Sequence, residues 1–185
     1  MATEIIRPNT TYGTGSFPVS FYTPYVPTGD TTTWECVDES VSDSDSTYMA
    51  KNVGGDQQAV EIFGYEANSL GVSDIINSLI IYAISKNNGG KGGDAIRFIY
   101  DGSARYVSSP TSTTTAYSTY RQVYSTNPET GVTWTKSEID SLKMGVNNFG
   151  TLTSRVTQVY IEIDYTPGST PITIKPILMF LESDD

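Results

Sequence analysis

The stretch NPETGVTWTKSEIDSLKMGVNNFGTLTSRVTQVYIEIDYT, residues 127–166, decides the fold, because it joins a turn, a short helix and a strongly alternating strand. Pro128 fixes φ and Gly131 closes the chain reversal, so residues 127–131 predict a turn. In residues 156–165, apolar side chains alternate with polar ones, as in a strand with one buried and one solvated face. The stretch therefore indicates β-structure with a single helix.

The helix in this stretch has a complete start signal. Thr135 is followed three residues later by Glu138. In such a capping box the hydroxyl binds the backbone of the third helical residue, and the carboxylate returns to the backbone of the cap. Ile139 is expected to anchor the helix on its apolar face, and Gly145 is expected to end it. We predict one short helix near residues 136–144.

The remainder of the chain is also typical of β-structure. Four further segments have the alternation or β-branched content of strands, and they are residues 59–65, 75–85, 95–100 and 120–124. Residues 172–181 are expected to form a last strand, which Pro176 places at an edge or a bulge. Trp34 is expected to begin another strand, and the glycine-rich segment 87–93 predicts a hairpin between the strands beside it. About eight short strands with one helix indicate an all-β fold, a β-sandwich for which we expect jelly-roll connectivity.

The first 33 residues differ from the rest because prolines stand among tyrosine, threonine and glycine. Proline removes a backbone donor, which blocks helix and interrupts pairing in a central strand. We therefore expect an extended arm or edge strand that lies along the body or along a neighbouring subunit. The predicted organisation is an extended Pro/Tyr-rich arm, residues 1–33, and a single β-sandwich domain, residues 34–185.

Charge and composition exclude several classes of function. The net charge is −10, and the 11 basic residues are scattered along the chain, which argues against nucleic-acid binding. Cys36 is the single cysteine, so an intrachain disulfide is excluded. The sequence has no apolar run of the length of a signal peptide or a membrane span. We expect a protein made in the cytoplasm, without a membrane partner.

The residues of common active sites are also missing. The chain has no histidine, which excludes Ser-His-Asp and Cys-His catalysis and the zinc sites that use histidine. Glu61 and Glu162 could serve as the carboxylate pair of a glycosidase if their strands were neighbours. A glutamate on the solvent face of its strand is the favoured interpretation for both. The sequence therefore predicts a protein that is not an enzyme.

Two sets of side chains are candidate binding sites. Asp43 and Asp45 lie in an acidic turn that could supply oxygen ligands to calcium, although it lacks the central glycine and distal glutamate of an EF-hand. A solvated acidic turn is the favoured alternative, so no cofactor is expected apart from this calcium hypothesis. Tyr117, Tyr120 and Tyr124 could form a platform on which a sugar stacks, and core packing is the alternative.

A resemblance to a known class of proteins lies in residues 127–165. A turn NPxTG, the helix motif WTxxEIDxLxxGV and the strand TQVYIEIDYT resemble a closing segment of β-sandwich structural proteins encoded by tailed phages and related viruses. Residues 34–49, a segment that begins with Trp34, also resemble a segment that is found in such proteins. The residues that carry the resemblance are Asn127, Pro128, Thr130, Gly131, Trp134, Thr135, Glu138, Ile139, Leu142, Gly145, Val146, Gln158, Val159, Tyr160 and Tyr165.

The resemblance implies a non-enzymatic virion structural protein, either a capsid decoration or a minor structural protein displayed on the surface. Trp134, Thr135 and Glu138 are expected to have structural roles. The expected partners are further copies of the chain, as a homo-oligomer, and a capsid or tail protein. The expected location is the virion, after synthesis in the host cytoplasm. The alternative is a carbohydrate-binding β-sandwich that adheres to a host or surface glycan.

Overall fold

The computed structural model describes residues 1–13, 23–25, 32–42, 45–50, 58–87, 95–150 and 154–169. In these residues the chain forms two antiparallel sheets that pack together as an all-β sandwich, as predicted. Jelly-roll connectivity stays a prediction. The elements are β1 Ala2–Ile6, β2 Pro8–Gly13, β3 Thr23–Tyr25, β4 Tyr48–Ala50, β5 Ala59–Tyr65, β6 Ile75–Asn87, β7 Ala95–Asp101, β8 Arg105–Val107, β9 Thr111–Ser112, β10 Ser118–Tyr124, α1 Lys136–Asp140, β11 Lys143–Phe149 and β12 Ser154–Thr166.

The first sheet is built around its two longest strands, β6 and β12, each of 13 residues. Its order is β10-β6-β12-β4-β3, and β1 also pairs with β12. The alternation predicted for β12 is confirmed, because Val159, Ile161 and Ile163 are fully buried whereas Tyr160 and Glu162 are partly exposed. The strand predicted at residues 75–85 is confirmed in the interior of the same sheet.

The second sheet has the order β2-β5-β11-β7-β8, with β9 also paired with β7. The prediction missed β11, and it placed the end of the helix too late. The helix ends at Asp140 with Ser141 as its C-cap, and Gly145 lies inside β11. A helix of five residues gains little from propensity alone. Pairing with two neighbouring strands satisfies the backbone of β11 instead.

Two local expectations were wrong because they depended on distant partners. The strands on either side of residues 88–94 do not form a hairpin, since β6 belongs to the first sheet and β7 to the second. Trp34 does not begin a strand, because residues 33–37 form a turn in which the Val37 N–H donates to the Trp34 carbonyl over 3.1 Å. Turn residues specify a reversal of the chain but not the sheet in which the next strand pairs.

Residues 1–13 of the predicted arm add one strand to each sheet, and β3, also in the arm, pairs with β4 in the first sheet. β1 pairs with β12 in the first sheet, and β2 pairs with β5 in the second. Pro8 begins β2, a position at which the missing N–H costs no ladder bond. Most of residues 14–33 and the strand predicted at residues 172–181 lie outside the described residues, so the domain boundary at residue 33 stays a prediction.

The main core lies between the two sheets and includes Phe63 and Met144 of the second sheet with Leu79 and Ile161 of the first. A smaller buried cluster lies on the opposite face of the second sheet and consists of Val60, Ile62 and Ile99. These three side chains alternate with core residues along β5 and β7. The centre of the second sheet is therefore covered on both faces.

Candidate functional site

The capping box predicted from Thr135 and Glu138 is confirmed. The Thr135 N–H donates to Glu138 Oε2 over 2.7 Å, and the Glu138 N–H donates to Thr135 Oγ1 over 3.3 Å. The other carboxylate oxygen, Oε1, accepts a bond of 2.8 Å from Asn127 Nδ2. Glu138 therefore joins the 127–131 turn to the helix, and both of its oxygens are occupied by structural partners.

Replacing Thr135 with alanine should test the contribution of this cap. We expect a loss of about 1 kcal/mol of unfolding free energy, because the substitution removes a side-chain acceptor from the first turn. Chemical denaturation followed by circular dichroism measures the effect. Thr133→Ala is the matched control, since Thr133 is exposed and precedes the cap. Equal stability of the two variants would show that the cap contributes nothing.

Trp134 fastens this turn and helix to both sheets. Its side chain is buried, and its indole N–H donates to the Tyr124 carbonyl on β10 over 3.1 Å. Its ring meets Tyr100 of β7 edge to face, with centroids 5.5 Å apart and planes at 84°. Such edge contacts are a favourable geometry for aromatic pairs. Trp134 is therefore in contact with a strand of each sheet.

An acidic cavity of about 380 Å³ lies between the 127–131 turn and the loop after β7. Its carboxylates are Asp101, Glu129 and Glu138. Asp101 binds Arg105 at 2.7 Å, and Glu129 accepts the Ser103 N–H over 3.1 Å. Because Glu138 belongs to the capping box, each carboxylate of this cavity has a partner that positions a loop or a helix.

The carboxylate pair considered for glycoside hydrolysis is not formed. Glu61 lies on β5 of the second sheet, and Glu162 lies on β12 of the first. Glu162 alternates with the buried residues of β12 and faces away from the core. Glu61 is 1% exposed, so its expected place on a solvent face was also wrong. Glu61 lies two residues before Phe63 on β5, so its side chain points to the same face of the sheet as Phe63, the core face.

Asp45 lies in a cluster of cationic and aromatic side chains. Lys86 Nζ is 2.7 Å from Oδ2, Arg155 Nη1 is 2.5 Å from Oδ1, and the Tyr117 hydroxyl donates to Oδ1 over 2.9 Å. The hydrogen bond from Lys86 is the largest cause that lowers the pKa of Asp45 from 3.8 to about 2. Two cations on one carboxylate oppose the binding of calcium there. Asp43, the other proposed ligand, lies outside the described residues.

The Asp45 cluster predicts a defined pH dependence. Since the pKa of Asp45 is lower in the folded state, its stabilisation is complete above about pH 3.8 and is lost as pH falls through about 2. The carboxylate is 52% exposed, so solvent screening limits the contribution to no more than about 1 kcal/mol. Asp45→Asn should be slightly less stable than the wild type at pH 7, and the difference should disappear near pH 2. Urea unfolding of both proteins across this pH range measures the difference in stability. A difference that does not change with pH would contradict the stabilising role of the Asp45 carboxylate.

The three tyrosines proposed as a sugar platform do not share an exposed surface. Tyr120 is 8% exposed, and its hydroxyl accepts the Thr114 N–H over 3.0 Å. Tyr124 packs against the core, and burial raises its pKa to about 12. Tyr117 bonds to Asp45 outside the core. Sugar binding at this place stays a prediction, but the rings of Tyr120 and Tyr124 offer packing rather than a platform.

A different pair of tyrosines lies on the outer face of the first sheet. Tyr82 of β6 and Tyr160 of β12 are cross-strand partners, and their rings stack with centroids 4.7 Å apart and planes at 12°. Sequence alternation places each ring on an outward face. Their contact depends on the register between strands more than 70 residues apart, which no local pattern reveals.

A cavity of about 170 Å³ adjoins this pair on the side of β1, and we call it the Tyr160 cavity. Strands β1 and β12 supply most of its lining, because Ile5 pairs with Glu162 in register. The loop that contains Ser40 closes one side. The lining residues are Ile5, Arg7, Ser40, Gln158, Tyr160 and Glu162.

No protein-family model matches the chain, and no curated protein matches it. Among the described residues, no helix has the length and hydrophobicity required to cross a membrane.

Proposed function

We propose that the chain is a non-enzymatic virion structural protein, a capsid decoration or a surface-displayed minor structural protein of a tailed phage or related virus. The observation that supports this function is the way residues 127–138 use their polar groups. Asn127 and Thr135 both bond to Glu138, and Trp134 joins this segment to both sheets. The residues that carry the resemblance are thus engaged in building a scaffold.

A particle test addresses this proposal directly. Lysate from the cell that produces the protein is fractionated on a density gradient, and an antibody against the chain is applied to the particle fraction for electron microscopy. We expect the protein to sediment with particles and the antibody to label their surface. If particles form while the chain stays entirely in the soluble fraction, the proposal is wrong.

The proposal includes self-association through β10. This strand ends the path of the first sheet, and its outer edge has no strand partner in the part of the chain that the structure describes. An edge strand of seven residues offers backbone donors and acceptors to another strand. Val123 on β10 is 45% exposed and adds an apolar contact. A second copy of the chain is the occupant that we assign to this edge.

Light scattering after size exclusion tests the assignment. At about 0.15 M salt, where charges are screened beyond about 8 Å, the wild type should be an oligomer. Val123→Arg should shift it towards the monomer with an unchanged circular dichroism spectrum. Val72→Arg is the matched control, because Val72 is 94% exposed in a loop away from β10. A monomeric wild type would contradict self-association.

The second candidate function is a carbohydrate-binding module for host or glycan adhesion. The observation that favours it is the Tyr160 cavity, which combines an aromatic ring with charged and amide side chains. A glycan array separates the two candidates, since uniform absence of sugar binding together with incorporation into particles supports the purely structural role.

A further inference from the structure

We infer that the Tyr160 cavity is a carbohydrate subsite that binds one neutral sugar ring. This inference gives the carbohydrate-binding candidate a location, and it does not depend on the virion role. The site differs from the tyrosines that sequence composition singled out. The cavity has an apolar surface, polar groups, a size and a charge that suit such a ring.

The apolar surface is supplied by Tyr160 and Ile5. β12 has β6 on one side and β1 on the other in this part of the sheet. Since one face of the Tyr160 ring is stacked on Tyr82 of β6, the opposite face is turned towards β1 and the cavity. Ile5 of β1 is 43% exposed beside it. A sugar ring has apolar C–H faces that pack on such surfaces, as ligands do in pockets with few polar groups.

The polar groups are a donor and acceptors placed around that surface. Arg7 Nε is buried and has no hydrogen-bond partner among the described residues, so it can donate to a ligand oxygen. Glu162 carries acceptor oxygens on the same face. The Gln158 amide is held by the Glu39 carbonyl, which accepts from its Nε2 over 2.6 Å, and this bond leaves Oε1 as an acceptor. Neighbouring sugar hydroxyls can both donate and accept, which matches this combination.

Size and charge narrow the ligand further. The cavity volume of about 170 Å³ lies below the roughly 300–1,000 Å³ of pockets for drug-sized molecules, so it admits a unit of about one ring. Arg7 is the one cation of the lining, and the carboxylates of Glu162 and of Glu66, which lies 4.0 Å from Arg7, outnumber it. The whole chain carries a net charge of −10, which repels anions. A neutral sugar is therefore favoured over a phosphate or an acidic sugar.

The experiment uses the full chain and a panel of methyl glycosides of hexoses and N-acetylhexosamines, titrated by nuclear magnetic resonance. We expect at least one glycoside to bind with a dissociation constant of about 1 mM or lower. The shifted backbone amides should cluster around Ile5, Ser40 and Tyr160. Arg7→Gln and Glu162→Gln should each weaken binding about tenfold, because the first removes the guanidinium donors and the second replaces a charged acceptor with a neutral amide.

Matched controls lie on the same face outside the lining. Arg121→Gln on β10 and Asp164→Asn on β12 make equivalent changes of charge and should leave binding unchanged. Tyr160→Phe should retain binding through its ring, and thermal melts report whether each variant is folded. The inference is overturned if no glycoside binds, if the shifts fall elsewhere, or if the cavity variants bind as tightly as the controls. None of these outcomes bears on particle incorporation, which the gradient tests separately.

Discussion

Gly145→Ala is expected to destabilise the protein by about 3 kcal/mol or more, or to prevent folding. A Cβ at this position would overlap the backbone carbonyl of Glu61 on the neighbouring strand β5. The obstacle is backbone, which cannot turn aside as a flexible side chain can. Overpacking of a core costs about 1–3 kcal/mol and more where nothing can yield, against a total stability of about 5–15 kcal/mol. Because β11 lies between β5 and β7, separation of this strand would divide the second sheet.

Gly71→Ala is the matched control for Gly145→Ala. Its Cβ would lie 3.5 Å from an Asp74 carboxylate oxygen, which is an ordinary contact, in an exposed turn. We expect a change within about 0.5 kcal/mol. Urea denaturation of the two variants measures the difference in their unfolding free energies, and the soluble yield of each variant shows whether it folds at all. Equal stabilities would mean that β11 can move away from β5 without cost.

Trp134→Ala is expected to lose about 3–5 kcal/mol of unfolding free energy. The substitution removes a large buried ring from between β7 and β10 and deprives the Tyr124 carbonyl of its donor. Trp134→Phe should lose less, about 1–3 kcal/mol, because it keeps the packing against Tyr100 and leaves only that carbonyl unpartnered. The urea midpoint should therefore fall from the wild type to Trp134→Phe and fall further in Trp134→Ala.

Val132→Ala is the reference for this series, since Val132 is exposed two residues earlier in the same segment. It should change the stability by no more than about 0.5 kcal/mol. A constant denaturant slope across the four proteins would show that the midpoints report stability. If Trp134→Ala matched Val132→Ala, the turn and helix would not be fastened to the sheets through this ring.

The parts of the fold that could be predicted depend on residues close together in sequence. Thr135 and Glu138 are three residues apart, so their capping box is visible without the structure. The alternation of apolar and polar residues in β12 is likewise visible within a single segment of sequence. By contrast, the glycine-rich connection after β6 does not reveal that the following strand pairs in the other sheet. The strand β11 was hidden by Asn147 and Asn148, which are polar residues in buried positions.

The candidate sites follow the same division. Tyr120 lies in a strand that was correctly predicted, but its burial depends on the second sheet above it. Asp45 stands in an acidic segment of sequence, whereas Lys86 and Arg155 reach it from strands 41 and 110 residues away. The Tyr160 cavity includes Arg7, which directly follows β1 and lies near Tyr160 because β1 pairs with β12. Residue type suggested aromatic and acidic sites, and strand register determined which of them were formed.

The cluster of Val60, Ile62 and Ile99 has a consequence for how the molecule opens. Deuterium reaches a strand amide only when the strand separates from its neighbours, and local opening requires exposure of whatever the strand covers. At the centre of the second sheet, opening must expose apolar groups on two sides at once. Amides in the middle of β5, β7 and β11 should therefore exchange last. Those of β6 should exchange earlier, because the outer face of β6 is partly exposed to solvent. The second sheet would then be the part of the protein that persists longest before complete unfolding.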